Sequence, residues 1–196
     1  MGYPESSLRA RKLGATRAIS ARIPRPMRIP RDNVALIGMP GAGKSTLGVL
    51  FAKRTSRGFL DTDLRIQEVE RTSLQEIIDE RGIDGFRRIE ERCVMELNCS
   101  KYVIATGGSV VYSEAAMEHI GQIALRVYLD VPLAELSQRL GDLDARGVIR
   151  APGQDLQAIL SERRPLYERW ADVRVDCNGL DHDGAVGAVL AALAAL

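Results

Sequence analysis

Nine residues, Gly38-Met-Pro-Gly-Ala-Gly-Lys-Ser-Thr46, decide the fold of this chain. They match the spacing G-x-x-x-x-G-K-[ST], in which glycines let the backbone bend until successive N–H groups converge on one point. An apolar run of strand length, residues 34–37, precedes them, and a helical pattern begins at Leu47. Because the N-terminus of a helix that follows such a loop attracts anions, the stretch predicts a phosphate-binding loop and a nucleoside triphosphate site.

We expect this loop to bind the phosphates of a nucleoside triphosphate through six consecutive residues: Gly41, Ala42, Gly43, Lys44, Ser45 and Thr46. The Lys44 ammonium can reach the β- and γ-phosphates, and the Ser45 hydroxyl can bind Mg²⁺. The chain has no Asn-Lys-x-Asp segment for reading a nucleotide base, and no late apolar strand that ends in paired acids. These absences argue against a GTPase switch and a motor, and favour a small-molecule kinase.

The rest of the chain alternates between strand and helix patterns. Short apolar runs predict five strands, at residues 34–37, 59–61, 102–105, 123–129 and 173–176. The long helical segment 64–98 should break near residues 71–72 and 81–82. Strands that alternate with helices predict an α/β fold in three layers, with a five-stranded parallel sheet covered on both faces. No repeat or linker divides this pattern, so we expect one domain over residues 32–196.

Two acids, Asp61 and Asp63, follow the second predicted strand. One carboxylate there could hold Mg²⁺ through water, and the other could accept a hydrogen bond from an acceptor hydroxyl. The alternative is a helix cap followed by a surface acid, and the residues alone leave both interpretations open.

Charge is unevenly distributed over the 196 residues. The net charge is +1, yet residues 1–31 hold eight Lys and Arg residues against one acid, Glu5, which leaves −6 for the remainder. Four prolines and no helical period predict that residues 1–31 form a basic, disordered extension. Its Arg-rich composition is like that of an organellar transit peptide, though it has only three serines. A start of translation at Met27 is the simpler hypothesis.

Composition also excludes several classes of protein. Near-neutrality argues against a dedicated nucleic-acid binder, and no apolar run approaches the ~20 residues that a membrane span needs. No secretion signal is apparent, and the three cysteines form no Cys-x-x-Cys pair, which argues against zinc and disulfides and fits a reducing cytoplasm. We therefore expect a cytoplasmic monomer that acts on a small molecule.

In their order along the chain, the motifs resemble those of the shikimate kinase family, from about Asn33 to the C-terminus. After the phosphate loop, they are Phe59-Leu-Asp61-Thr-Asp63, Gly85-Phe86-Arg87-x-x-Glu90, Ala105-Thr-Gly107-Gly108 and Arg163-x-Pro165-Leu166-Tyr167. The resemblance implies a P-loop NTPase fold with a mobile lid. It also implies transfer of a phosphoryl group from MgATP to the 3-hydroxyl of shikimate.

The family pattern assigns roles to individual residues. It implies three catalytic residues, namely Lys44, Asp63 and Arg146, with Arg146 in the lid and in contact with ATP. Ser45 and Asp61 become the candidate metal ligands, while Asp63 binds shikimate hydroxyls and orients the reacting proton.

The same resemblance places the acceptor. Arg87 and Arg163 match the arginines that grip the substrate carboxylate, a task that suits the planar fork of guanidinium. Gly107 and Gly108 match the backbone that lies against the substrate ring. Arg139 and the segment 176–178 match positions near the adenine.

This chain also departs from the family pattern. Ser109 stands where the family usually has a third glycine, so its side chain either crowds the substrate ring or points away. Arg146-Gly-Val-Ile149 replaces the usual Arg-Pro-Leu-Leu, and Arg150 is a competing match to the lid arginine. Two other functions therefore stay open: a kinase for another hydroxy acid such as gluconate, and a domain that senses a ligand without phosphorylating it.

Overall fold

The computed structural model describes residues 31–140, 149–150 and 153–196. Three predictions lie outside these residues. They are Arg146 with most of the expected lid, residues 141–153, the start of translation at Met27, and nearly all of the expected basic extension. Arg31, the last residue of that stretch, donates through Nη1 to the Ala124 carbonyl and to Asp172, both at 3.1 Å.

A sheet of five parallel strands forms the centre of the described part of the molecule, in the order β2-β3-β1-β4-β5. The strands are β1 (Asn33–Ile37), β2 (Gly58–Asp61), β3 (Tyr102–Ala105), β4 (Ala124–Asp130) and β5 (Val173–Asp176). All five residues of β1 are buried. Because successive side chains point to opposite faces of a strand, this burial means that helices cover the sheet on both sides. The predicted α/β fold class, with its five strands, is confirmed.

Seven α-helices in the described ranges connect and cover the strands. They are α1 (Lys44–Thr55), α2 (Thr62–Glu70), α3 (Leu74–Met95), α4 (Glu114–Ile123), α5 (Leu133–Leu140), α6 (Leu156–Trp170) and α7 (His182–Ala194), with a 3₁₀ turn at Val110–Tyr112. Helix α1 packs against α7, whereas α3 packs against α2 and α4. Within the described residues, no helix is both long enough and apolar enough to cross a membrane.

The long helical segment breaks where the sequence predicts. Helix α2 ends at Glu70, and its C-cap residue Arg71 adopts a positive φ of 62°. Helix α3 then begins with a capping box between Ser73 and Glu76. Inside α3, Gly82 has φ 68° and ψ 176°, values that interrupt the helix. This break sets the direction of the second half of α3, which carries Arg87 and Glu90.

The topology gathers the polar motifs at one edge of the sheet. The carboxyl ends of β1, β2 and β3 all meet there, because the three strands are parallel neighbours. The phosphate loop follows β1, the Asp61–Asp63 segment follows β2, and residues 106–109 follow β3. Ligands of open α/β sheets bind at this edge, so the site should lie there.

Candidate active site

A cavity of about 740 Å³ opens at this edge of the sheet. Its wall includes the phosphate loop, the loop after β3, two carboxylates and two arginines, which are Pro40, Gly41, Ala42, Gly43, Lys44, Ser45, Thr46, Asp63, Glu90, Thr106, Gly107, Gly108, Ser109, Arg139 and Arg163. The structure thus brings most of the sequence-predicted site residues to one cavity. Asp61 and Arg87 lie beside its wall, and Arg146 lies outside the described residues.

The phosphate loop depends on glycines in conformations that other residues avoid. Gly43, which precedes the first residue of α1, has φ 87°, and Gly38 has φ 145°. The Lys44 Nζ atom donates hydrogen bonds of 2.8 Å to the carbonyls of Gly38 and Met39. Burial lowers the pKa of Lys44 to about 8, although the nearby Asp63 carboxylate opposes this shift. A polyanion bound in this loop would favour the charged form of the amine.

Asp61 contacts two different elements with its two carboxylate oxygens. Its Oδ1 atom accepts from the backbone N–H groups of Asp63 and Leu64, at 2.9 and 3.3 Å, and so caps α2. Its Oδ2 atom accepts a 2.6 Å hydrogen bond from the Ser45 hydroxyl. A carboxylate and a hydroxyl side by side at a phosphate loop are the oxygen ligands that Mg²⁺ takes together with phosphates, so the residues present fit the metal.

Two carboxylates, from Asp63 and Glu90, approach the backbone of Gly107. A methyl group on Gly107 would lie 2.1 Å from Glu90 Oε1 and 2.8 Å from Asp63 Oδ1. Only glycine therefore leaves room for both acids at this position. Burial raises the pKa of Asp63 to about 6, against the opposing effect of the Lys44 charge. The Asp63 carboxylate is thus well placed and more basic than usual, as a proton acceptor requires.

The Ser109 side chain is directed at Glu90, which lies with it on the cavity wall. The buried Ser109 hydroxyl donates a 2.6 Å hydrogen bond to Glu90 Oε2. Glu90 is 2% exposed, and its Oε1 atom has no hydrogen-bond partner in the part of the chain that the structure describes. Burial raises the pKa of Glu90 to about 7, while the Ser109 hydrogen bond opposes the rise.

Glu90 is the site residue that sequence reasoning missed. The sequence motif contains it, but nothing in the local pattern shows that its carboxyl group turns into the cavity. Its spacing of three residues from Arg87 was the available signal, because residues three apart lie on neighbouring positions of one helix face.

Arg163 is almost completely buried, at 1% exposure, and lines the cavity. Its Nη2 atom donates to the Ile149 carbonyl, and its Nε atom donates to the Tyr112 hydroxyl at 3.2 Å. Its Nη1 atom is also buried, and among the described residues it has no acceptor. A buried charged donor without an acceptor is costly, so this atom indicates a place for an anionic ligand.

Arg87 is half-buried and lies against an aromatic ring instead of lining the cavity. Its guanidinium group is 4.3 Å from the centre of the Tyr112 ring. The Arg163 guanidinium is 5.2 Å from the centre of the same ring, so the two arginines that the sequence pairs share one aromatic neighbour.

The loops on either side of the cavity are joined to one another. A methyl group on Gly108 would lie 2.7 Å from Pro40 Cδ, so the loop after β3 packs directly on the phosphate loop. The Tyr167 hydroxyl donates a 2.6 Å hydrogen bond to the Gly108 carbonyl. Arg139 and Cys177, from the segments expected near the adenine, line the far part of the same cavity.

Comparisons with known proteins point to one family. A family model described as Shikimate kinase matches residues 40–194. A shikimate kinase from Nostoc sp. is 39% identical over 150 residues, which cover 74% of this chain and 81% of that protein. One from Mycobacterium avium is 39% identical over 146 residues, with 73% and 82% covered.

Solved structures give the same result. A shikimate kinase from Acinetobacter baumannii in complex with shikimate superposes with a TM-score of 0.77 at 29% identity, covering 83% of this chain and 92% of that chain. The crystal structure of shikimate kinase from Aquifex aeolicus gives a TM-score of 0.72 at 28% identity, with 82% and 95% covered. Similarity of sequence and of fold thus extends over nearly all of the described residues.

Proposed function

The chain belongs to the shikimate kinase family, a family of enzymes, and on that premise we propose that it transfers the γ-phosphoryl group of ATP to the 3-hydroxyl of shikimate. The observation that carries the proposal is the unpaired, buried Nη1 atom of Arg163, a residue that lines the same cavity as the phosphate loop and Asp63 in the described part of the chain. A cavity lined by both a phosphate loop and a buried guanidinium group that can still donate suits an acidic polyol acceptor.

The phosphate loop is proposed to hold the triphosphate of ATP. The backbone N–H groups of residues 41–46 and the N-terminus of α1 would surround the phosphates, with the Lys44 ammonium moving from carbonyl acceptors to phosphate oxygens. Ser45 and Asp61 would hold Mg²⁺, which supplies positive charge against the phosphate oxygens when it is bound. Arg146 stays a prediction as the third catalytic residue.

The acceptor is proposed to bind beside Asp63. Arg163 and Arg87 would hold its carboxylate by charge-assisted hydrogen bonds, which fix orientation as well as position. The oxygen of the reacting hydroxyl would attack phosphorus in line with the leaving ADP oxygen, and the Asp63 carboxylate would accept the proton of that hydroxyl. Gly107 and Gly108 would give the substrate ring a flat backbone surface without side chains.

An acceptor assay tests this function directly. Release of ADP is coupled to NADH oxidation in the presence of Mg²⁺ and shikimate, gluconate or no acceptor, and ³¹P–¹H NMR locates the phosphate on the product. We expect turnover with shikimate, phosphorylation at the 3-hydroxyl, and rates with gluconate close to the rate without acceptor. A rate of ADP release with shikimate that is no higher than the rate without acceptor would exclude the proposal. If calorimetry then showed that shikimate still binds, the sensing domain would be favoured.

We also propose that the chain acts as a monomer in a reducing cytoplasm. All three cysteines are free thiols, and Cys93 and Cys177 are buried. Free thiols persist where glutathione keeps them reduced. Sedimentation of the purified chain tests the oligomeric state, and cell fractionation of the native source tests the compartment.

A further inference from the structure

The ring of Tyr112 lies close to both of the arginines proposed to bind the acceptor carboxylate. Tyr112 ends the 3₁₀ turn that follows Ser109, and it is half-buried. The Arg87 guanidinium, from α3, is 4.3 Å from the ring centre, and the Arg163 guanidinium, from α6, is 5.2 Å from it. One side chain thus contacts the charged groups of two separate helices.

Hydrogen bonds fix the orientation of this ring. The Tyr112 hydroxyl accepts from Arg163 Nε at 3.2 Å and donates to Glu162 Oε1 at 2.6 Å. The other Glu162 oxygen accepts a 2.6 Å hydrogen bond from the Gln154 side chain. Burial raises the pKa of Tyr112, so the hydroxyl keeps its proton and stays a donor. The ring therefore has little freedom to turn away from the arginines.

Two guanidinium groups close together repel each other, and each also has many rotamers. The negative π face of a tyrosine attracts both cations and offsets part of this repulsion. Contact with the ring also restricts the rotamers of the arginines before a ligand binds, so binding costs less side-chain entropy.

We propose that Tyr112 is a positioning residue that holds Arg87 and Arg163 ready for the acceptor carboxylate and so sets the preference for an anionic acceptor. The proposal rests on the proposed function, since it takes the carboxylate as the ligand of the two arginines. Tyr112 belongs neither to the phosphate loop nor to the described residues of the cavity wall, so its effect should be confined to acceptor binding.

The test compares shikimate with its uncharged methyl ester in three proteins: wild type, Tyr112→Phe and Tyr112→Leu. Steady-state assays give kcat, the KM for ATP and the KM for each acceptor, with an inhibition constant for the ester where it is not turned over. We expect Tyr112→Leu to raise the KM for shikimate about tenfold, which matches the loss of cation–π contacts at a half-buried site. The KM for ATP and kcat should stay within about twofold.

The ester distinguishes a positioning role from a merely structural one, because only a positioning role changes the preference for the acid over the ester. Because Tyr112 acts through the carboxylate, binding of the ester should change little, and the preference for the acid over the ester should fall by the same factor of about ten. Tyr112→Phe keeps the ring and loses the two hydroxyl contacts, so it should show an intermediate loss. Tyr102→Leu removes a ring at the opposite end of β3 and serves as the control, with the KM for shikimate unchanged.

The outcomes separate this proposal from the proposed function. No shikimate-dependent turnover in wild type would defeat the proposed function. Wild-type turnover with a raised KM in Arg163→Ala but an unchanged KM in Tyr112→Leu would overturn the role of Tyr112 alone. An equal loss of acid and ester binding in the Tyr112 variants would also overturn that role, because it would indicate a damaged fold.

Discussion

The carboxylate of Asp61 shows how much one residue can do at a strand end. A helix cap and a metal ligand were alternatives on the sequence alone, yet the cap uses only Oδ1, whereas Oδ2 meets the Ser45 hydroxyl at 2.6 Å. Capping holds the side chain in one rotamer, so the second oxygen is fixed beside the phosphate loop. The role of Asp61 as a metal ligand stays a prediction, and the cap favours it because the second oxygen is already held in position.

Lys44 carries the sharpest prediction about the phosphate site. Its ammonium is buried within the loop and is held by two backbone carbonyls. We expect Lys44→Ala to lower kcat by about 10²- to 10³-fold, as removal of an electrostatic stabiliser does in other active sites. Lys53→Ala, an exposed lysine on the same helix, should keep wild-type kcat in the coupled assay.

The arginines should act on the acceptor and not on ATP. Each substitution removes a charge-assisted contact worth about 1.5–3 kcal/mol, so Arg87→Ala and Arg163→Ala should raise the KM for shikimate about ten- to a hundredfold. The KM for ATP should change by less than about threefold. Arg88→Ala, the exposed neighbour, is the matched control. Equal increases in both KM values would contradict the assignment.

At the scale of elements, the sequence predicted what depends on nearby residues. Apolar runs located the strands, and the turn signals at residues 71–72 and 81–82 located the breaks, because local backbone preference and burial both act over short distances. The contacts of Ser109 and Tyr112 could not be predicted in this way. Ser109 bonds to a residue 19 positions away and Tyr112 to one 51 positions away, so their partners depend on the packing of α3 and α6.

Gly82 gives a prediction about the break within α3. Its φ of 68° with ψ of 176° is a conformation that only glycine adopts readily, while a methyl group added to its Cα would meet open space. Gly82→Ala should therefore lower the free energy of unfolding by about 1–3 kcal/mol through backbone strain alone. Urea unfolding followed by circular dichroism measures the change.

Gly187 is the control for that measurement, because it lies within α7 and a methyl group there meets nothing within 4 Å in the described part of the chain. Alanine is the better helix former, so Gly187→Ala should raise stability by about 0.5–1 kcal/mol. A loss of stability in both variants would show that the strain argument for Gly82 is wrong.

On the scale of the whole molecule, the net charge of +1 says little about function. The charges at the candidate site form a largely buried cluster in which Lys44 and Arg163 lie near Asp63 and Glu90. Burial of these groups costs stability in the free protein, because each loses water without gaining a complete set of partners. Ligands that complete the cluster should therefore stabilise the fold, because relief of this cost forms part of their free energy of binding to the native state.

Glu90 makes this cost measurable through pH. Its pKa is about 7 in the folded chain against an ordinary value of 4.5, so the folded state binds more protons than the unfolded state between these pH values. Stability must then fall as pH rises from about 4.5 to 7 and stay reduced above 7. Asp63, whose pKa is also raised, contributes in the same direction, whereas Lys44 acts only above about pH 8.

Glu90→Gln should remove the Glu90 part of this dependence. The amide has no charge to bury and can still accept the hydrogen bond from Ser109. At about 1.4 kcal/mol per pKa unit, the variant should therefore have a free energy of unfolding about 3 kcal/mol higher than that of wild type at pH 7.5. At pH 5, where Glu90 is protonated in the folded chain, the difference should be much smaller. Urea unfolding at pH 5, 6, 7 and 7.5 follows the trend while Lys44 is still mostly charged. Glu80→Gln, an exposed change on the same helix, should run parallel to wild type. If the free energy of unfolding of Glu90→Gln also changes with pH as that of wild type does, the buried carboxyl group titrates normally. Burial of Glu90 in the charge cluster would then carry no stability cost.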